Sequence, residues 1–404
     1  MAPRVLVVGG GSGGTLLANL LARRRHDLTL LTASTAHLFQ PGLLYVALRG
    51  DSGRGLVRDE RSLLSRRVRL VRDAATRVDL EAQVVTTATG TRLEYERLVV
   101  ATGMRTDPGQ VPGLPEVLDR FGDFHSDLAR ARRLWASLDA FTGGTIVVGQ
   151  SSPICKCPPS PVEAVLLADA LLRRRGLRDR SRLVLFTPYP HPYPAAPVSE
   201  ILQPVLASRG IEVRTVFDVD RIDPEERTIR SIEGDELVYD LPLVVPPFVG
   251  EDVAYSPAGV LDADRFVATD RHTLRVAGTD TAFAIGDATN VPTSKAGVAA
   301  HLQAKVVARE LLGRPASFGG RTNCPFDFGD GRGTFVIGSY DAPVVKLPPT
   351  RTKHLMKFLF GKVYWLTLRG WLEPVFDAYF AVTDPARAAR AGRGGQDRQP
   401  AGVR

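Results

Sequence analysis

The 404-residue chain contains only three cysteines, Cys155, Cys157 and Cys324. That is too few for the disulfide framework of a small secreted domain. No histidine stands at a paired spacing beside them, so a zinc site, or any other metal, is not expected. No uninterrupted apolar run is long enough to cross a bilayer. The least charged stretch, Leu28 to Leu48, contains Thr, Ser, His, Gln, Pro and Gly and reads as a buried strand followed by a loop. The start, Met1-Ala2-Pro3-Arg4, passes straight into an apolar strand at Val5, without a charged region and hydrophobic leader. The expectation is a protein that remains in the cytosolic compartment. There is no C-x-x-C-H haem-attachment motif either.

What is present bounds the class further. A hydrophobic share of 44% suffices for a full core and excludes wholesale disorder. The length suits two or three domains. Thirty-eight glycines suggest backbone-level contact with a ligand as well as turns. A formal charge of +8 fits nucleic acid or an anionic membrane surface. The basic residues form no single helical face and no nucleic-acid module is visible, so nucleic acid is not expected.

Three blocks and an arm follow along the chain. Residues 1–110 open with a strand at Val5–Val8, a glycine loop, a helix through Leu16–Leu21 and a second strand at Leu28–Leu31. That is one βαβ unit. Residues 111–240 repeat the theme with a strand at Thr145–Val148, a helix from Val162 to Arg175 and a strand at Leu183–Phe186. Residues 241–350 carry Phe283-Ala284-Ile285-Gly286-Asp287-Ala288 and are expected to complete the first domain. Residues 351–382 are aromatic and basic, and 383–404 offer almost nothing to bury and are expected to be disordered. The fold class expected is α/β, with two Rossmann-like dinucleotide-binding domains and a C-terminal helical arm.

Gly9-Gly10-Gly11-Ser12-Gly13-Gly14 satisfies G-x-G-x-x-G in its required context, after a strand and opening a helix. Gly9 allows the tight turn, Gly11 lets the backbone approach a pyrophosphate, and Gly14 lets helix pack on strand. The helix N-terminus then faces the phosphate charge. The second strand lacks the usual terminal acid: Thr32 and then Ser34 stand there, able to give a single hydrogen bond to a ribose but no bidentate contact. The corresponding turn of the middle block, Gly149-Gln150-Ser151-Ser152-Pro153, keeps one glycine, and Pro153 removes a donor. Nicotinamide binding is therefore expected to be lost.

Ala101-Thr102-Gly103 after a strand and Ile285-Gly286-Asp287 downstream resemble the second and third FAD signatures of two-dinucleotide-domain flavoproteins. The segment Cys157-Pro158-Pro159-Ser160-Pro161-Val162-Glu163, with Phe39-Gln40-Pro41-Gly42 and Ser294-Lys295-Ala296-Gly297, resembles the sulfide:quinone oxidoreductase and flavocytochrome c sulfide dehydrogenase family over roughly residues 4–380. The resemblance implies bound FAD, with Asp287 at the ribityl and pyrophosphate region. Lys295 is expected near the pyrimidine end of the flavin, and Gln40 and Pro41 lie in the cofactor site. It implies a disulfide or sulfur-bridged pair, Cys157 with Cys324, that hydrosulfide opens to leave a persulfide. The released thiolate then passes two electrons to the flavin. Glu163 is the candidate acid/base, with a first-turn carboxylate favoured by the helix dipole as the alternative. Cys155 is a sulfur relay, a spare partner or a small buried apolar residue. His191 is expected to be an ordinary loop histidine.

The arm, His354 to Phe380, is rich in aromatics and punctuated by Lys353, Lys357, Lys362 and Arg369. Gly361, Gly370 and Pro374 are expected to divide it into short helices lying in the membrane interface, cations toward lipid phosphate. A dimer contact, making a homo-oligomer, or a lid on the core are the alternatives. The resemblance then implies a peripheral enzyme on the cytoplasmic side of the membrane that oxidises sulfide and reduces membrane quinone, with Phe358, Tyr364 and Trp365 as quinone residues. The competing functions are a type II NADH:quinone oxidoreductase and a non-enzymatic FAD-binding redox sensor.

Overall fold

The computed structural model describes residues 3–24 and 27–383. The expected tail beyond 383 lies outside them. The chain begins with β1 (Arg4–Val8), α1 (Ser12–Ala22) and β2 (Asp27–Thr32); the strands are one and two residues longer than the pattern predicts, and the helix starts four residues earlier, inside the glycine loop. Together with β3 (Val68–Arg72) and β4 (Arg97–Val100) they build a parallel sheet, which β9 (Ala282–Ala284) joins from far downstream. The strand order is β9-β4-β1-β2-β3, and Val5–Val8 in its centre are almost wholly buried. Strands buried on both faces read as continuous apolar runs, as these do.

A second parallel sheet repeats the plan with β5 (Gly144–Gln150), β6 (Ser181–Phe186), β7 (Ile211–Arg214) and β8 (Leu241–Val245), ordered β7-β6-β5-β8. Helix α2 (Ser160–Arg174) follows β5 and presents a buried face from Ser160 to Leu172. Because β8 pairs with β5 from Ile146↔Leu241 to Gln150↔Val245, the expected domain boundary after 240 cuts this sheet and is corrected. The crossing lies at the antiparallel pairing of Met104–Thr106 with Phe248–Gly250. Each domain also carries a small antiparallel meander: Ala75–Glu94 just before β4 in one, Val219–Val238 just before β8 in the other.

Helix α3 (Gly297–Leu311) packs against α1, and the hairpin of β10 (Thr322–Asp327) and β11 (Gly333–Gly338) carries Cys324. Two helices end the described chain, α4 (Arg351–Leu368) and α5 (Glu373–Val382). The expected break at Gly361 does not occur. A mid-helix glycine costs only about 1 kcal/mol, and the helix runs through it beside Phe39, whose ring an added Cβ would touch at an ordinary 3.7 Å. The break comes at Gly370, which has φ +67, and Pro374 opens α5. Among the described residues no helix is long and apolar enough to cross a membrane.

Candidate functional site

A cavity of about 980 Å³ runs between the two domains and beneath α4. At one end are Gly10, Gly11, Ser12 and Gly13; along it are Thr102, Gly103, Gly286, Asp287 and Lys295; at the other end are Cys157, Cys324, Glu163 and Lys357. The volume is at the upper end for small-molecule sites. An added Cβ on Gly11 would meet nothing within 4 Å, so the backbone is bared to the cavity there. Gly9 and Gly14 are needed for packing: Gly9 has φ +113 and its Cβ would sit 2.2 Å from Ala101 O, while one on Gly14 would sit 2.0 Å from Gly9 O. Ala101 closes this wall. The cradle fits a dinucleotide pyrophosphate at the N-terminus of α1.

Asp287 turns its carboxylate to the cavity, with Lys156 Nζ 3.8 Å away. Lys295 is held in the cavity wall. Its Nζ donates to the carbonyls of Asp287 and Thr289 and lies 4.0 Å from the centroid of the Phe266 ring. Burial lowers it to about 8 against the pull of Asp287. Gln40 Nε2 donates to Nδ1 of His125 at 3.1 Å, which assigns the imidazole proton to Nε2 and makes it the donor to Ser160 Oγ at 2.8 Å. Burial lowers His125 to about 3, with Lys156 adding to the shift, so it is a neutral ring in the cavity wall. Pro41 lines the wall beside Gln40 in a short 3-10 turn. Thr32 is a correction: it is buried beneath Gly10, donates its hydroxyl to Ser34 O at 2.9 Å, and is not part of the cavity wall.

Cys157 has φ +57, a left-handed backbone rare for a side chain of this kind. The conformation is held by Cys157 N donating to Lys295 O and by its own carbonyl accepting from Ser160 N, both at 2.8 Å. This turn separates the two neighbouring thiols. Cys157 faces the cavity, whereas Cys155 is buried in the core of the second domain and donates Sγ–H to Lys156 O. Cys155 is thus no part of the cavity wall, which corrects its candidate catalytic role; burial pushes its thiol up to about 12. Cys324 reaches the cavity from β10, its sulfur 3.4 Å from Ser294 Oγ. All three cysteines are free thiols in the structure. Burial raises both members, and Glu163 and Cys324 raise Cys157 further; Lys357 is the cation that opposes them.

Glu163 is buried one turn into α2, where its Oε1 accepts from Asp327 N at 2.5 Å and pairs with the ammonium of Lys357. Burial raises its carboxyl, and Lys357 counters. The expectation that Lys357 faces lipid phosphate is therefore corrected, since it points inward from α4. A signal for this was present: Lys357, Gly361, Tyr364, Trp365 and Leu368 follow the spacing of one helical face. His125 and Lys156 had no distinguishing signal in the sequence.

The three expected quinone residues separate. Phe358 stays near the thiol end, its ring 5.2 Å from that of Tyr45. Tyr364 is two turns on, roughly 10 Å along the axis, bonded to Ser12 Oγ at 2.6 Å; Trp365 stacks edge-on against it and His37. Both are buried and belong to the glycine-loop end, because α4 runs the length of the cavity. His191 is exposed and not in the cavity wall.

Residues 3–304 match the family model for pyridine nucleotide-disulphide oxidoreductases. The chain belongs to that family. It is 27% identical over 385 residues to the mitochondrial sulfide:quinone oxidoreductase of Dictyostelium discoideum, covering 90% of this chain and 85% of the relative. It is 25% identical to the sulfide-quinone reductase of Aquifex aeolicus, covering 93% and 94% of the two chains. The solved sulfide:quinone oxidoreductase from Aquifex aeolicus superposes with a TM-score of 0.82 at 21% identity, covering 94% of this chain and 95% of that one, which establishes the shared fold.

Proposed function

We propose that the protein is an FAD-dependent oxidoreductase that oxidises sulfide to a persulfide or polysulfide and passes the electrons to membrane quinone. One observation carries this reading: Cys157 and Cys324, 167 positions apart by subtraction of their numbers, open on the same cavity as the glycine loop, beside a buried Lys357–Glu163 pair. The sulfide:quinone names of full-length relatives support it. FAD, when bound, supplies a two-electron acceptor able to reduce a quinone in turn.

The chain's own residues have definite tasks in this reading. The glycine loop holds the pyrophosphate, Asp287 accepts from ribityl hydroxyls, and Lys295 and Lys156 place positive charge along the cavity wall. In the oxidised state Cys157 and Cys324 are joined. Hydrosulfide attacks one sulfur, a new S–S bond forms as the old one breaks, and the other sulfur leaves as thiolate. Lys357 stabilises the departing negative charge at Cys157, and Glu163 takes the proton of the incoming hydrosulfide.

The outer face of α4 supports a peripheral seat on the membrane. Leu355, Leu359 and Leu366 are 57%, 53% and 42% exposed and fall on one stripe with Lys362; beyond the break at Gly370, Trp371 and Val375 are also exposed, at 62% and 65%. Exposed apolar stripes of this kind suit the headgroup boundary. Phe358 and Tyr45 then form the cavity wall by which a quinone ring would approach.

The test is anaerobic titration of the purified protein, with sulfide and NADH added separately and flavin absorbance followed. Bleaching by sulfide, reversal by a short-chain quinone and loss of both in Cys157→Ser are expected. Bleaching by NADH with no response to sulfide would overturn the reading in favour of an NADH:quinone reductase.

A further inference from the structure

The end of the cavity remote from the thiols holds a hydrogen-bond chain that the sulfur chemistry does not use. Thr15 donates its hydroxyl to Glu60 Oε1 at 2.5 Å. Glu60 Oε2 lies 2.7 Å from His37 Nδ1, His37 Nε2 lies 2.9 Å from the Tyr364 hydroxyl, and that hydroxyl lies 2.6 Å from Ser12 Oγ. Thr15, Glu60, His37 and Tyr364 are all buried; Ser12 alone is partly open, and it faces the cavity from the glycine loop. A buried carboxylate is thus connected, through the two side chains of His37 and Tyr364, to one hydroxyl where a pyrophosphate would lie.

The polarity of such a chain is constrained. An ionised Glu60 can only accept, so Nδ1 of His37 carries its proton toward it. Two arrangements remain beyond that point. In one, Ser12 donates to Tyr364 and Tyr364 to His37, which leaves only lone pairs on Ser12 facing the cavity. In the other, His37 donates at both nitrogens, Tyr364 donates to Ser12, and the Ser12 proton points outward. An anionic oxygen outside Ser12 selects the second, and the Glu60 carboxylate compensates the buried imidazolium that it requires.

The chain is also where the C-terminal arm is fastened. Asn19 donates to Leu368 O at 2.8 Å and Arg23 to Gly370 O at 2.7 Å. Ser12, Asn19 and Arg23 are spaced seven and four apart, on one face of α1. The arm therefore lies along the helix whose N-terminus opens on the cavity. If this contact were packing alone, an apolar pair would fill it without burying a carboxylate and an imidazole.

The geometry points to a phosphate clamp: Tyr364, oriented by the His37–Glu60 pair, turns the Ser12 hydroxyl outward as a donor to the dinucleotide pyrophosphate, so that the C-terminal arm takes part in retaining the cofactor. This rests on the FAD reading above and assigns Tyr364, His37 and Glu60 as positioning residues within it.

The experiment measures FAD release from the purified holoenzyme by recovery of free-flavin fluorescence, and binding of ADP and of adenosine to the flavin-free protein by calorimetry. Tyr364→Phe keeps the ring and deletes the hydroxyl; Ser12→Ala deletes the donor. Each is expected to weaken ADP and FAD by about tenfold, the loss of one hydrogen bond to a charged group, and to leave adenosine, which has no phosphate, unchanged. The double variant should lose no more than either single one, since both break the same chain. ADP and FAD affinities within twofold of the parent in either variant would overturn the clamp, as would a parallel loss of adenosine. Should Tyr364→Phe not fold, Ser12→Ala decides by the same readings. A parent protein that binds neither FAD nor ADP would instead refute the cofactor assignment itself.

Discussion

Replacing Lys357 by methionine tests the thiol end of the cavity most directly. The side chains of Lys357 and Glu163 are 12% and 1% exposed, so the pair is screened little by solvent. Removing one partner of such a pair costs about 3–5 kcal/mol when the other stays charged. Glu163 keeps its bond from Asp327 N, which goes on holding part of the carboxylate's charge. The expected loss is therefore near the lower end, about 3 kcal/mol. Adding Glu163→Gln should recover about 1 kcal/mol or more, since the two residues are coupled. Urea unfolding followed by circular dichroism measures both. The second effect is on chemistry. Burial, Glu163 and Cys324 all raise the Cys157 thiol, and Lys357 opposes them. In Lys357→Met the thiol must rise further, and each unit lowers the thiolate fraction tenfold at a fixed pH below it. Iodoacetamide labelling of Cys157 in the reduced protein at pH 8 should slow by about tenfold. A variant as stable as the parent and labelled at the parent rate would refute the pairing and return Lys357 to the lipid-facing role that its sequence context suggests.

Three further outcomes are expected. Lys295, lowered to about 8 from 10.5 by burial, sheds its proton in the folded state before the unfolded chain does. The stability of the flavin-free protein should therefore gain a rising contribution between those two pH values, and Lys295→Met should remove that rise in urea unfolding curves. Gly9→Ala places a Cβ 2.2 Å from Ala101 O at φ +113, so it should cost several kcal/mol in denaturant titrations and yield protein without bound flavin. A Leu355→Asp/Leu359→Asp variant, changed at two exposed positions of α4, should lose at least about tenfold in cosedimentation with anionic vesicles while retaining sulfide-dependent bleaching of the flavin; unchanged cosedimentation would reject the membrane seat.

How much of this was legible beforehand follows from the range of the forces involved. The β1–loop–α1 unit was readable because its glycines answer to contacts within one supersecondary unit. Cys157 and Glu163 stood out through the resemblance of their segment, while the groups that hold them, Lys295, Asp327 and Lys357, lie far outside it. The register of β8 was not readable, because an all-apolar strand such as Leu241–Val245 fits either sheet until pairing with β5 decides. The inward turn of Lys357 and the meeting of Tyr364 with Ser12 depend on contacts across 194 and 352 positions, which no local pattern specifies. Which of relay, spare partner or buried residue Cys155 is could not be read, because the left-handed turn that parts it from Cys157 leaves no mark in residue type: cysteine is not what that backbone would select.

That last mismatch has an evolutionary consequence. A left-handed backbone burdens a residue bearing a Cβ by about 1–2 kcal/mol relative to glycine. On the proposed function, position 157 therefore stands under opposing selection, with stability alone favouring Cys157→Gly and the proposed thiol chemistry forbidding it. In a lineage relieved of the redox task, the substitution would be a stabilising step taken early, and regaining the cysteine would then mean climbing back into strain. The loss of the reaction would behave as a ratchet, turned by the same torsion that now points the sulfur into the cavity.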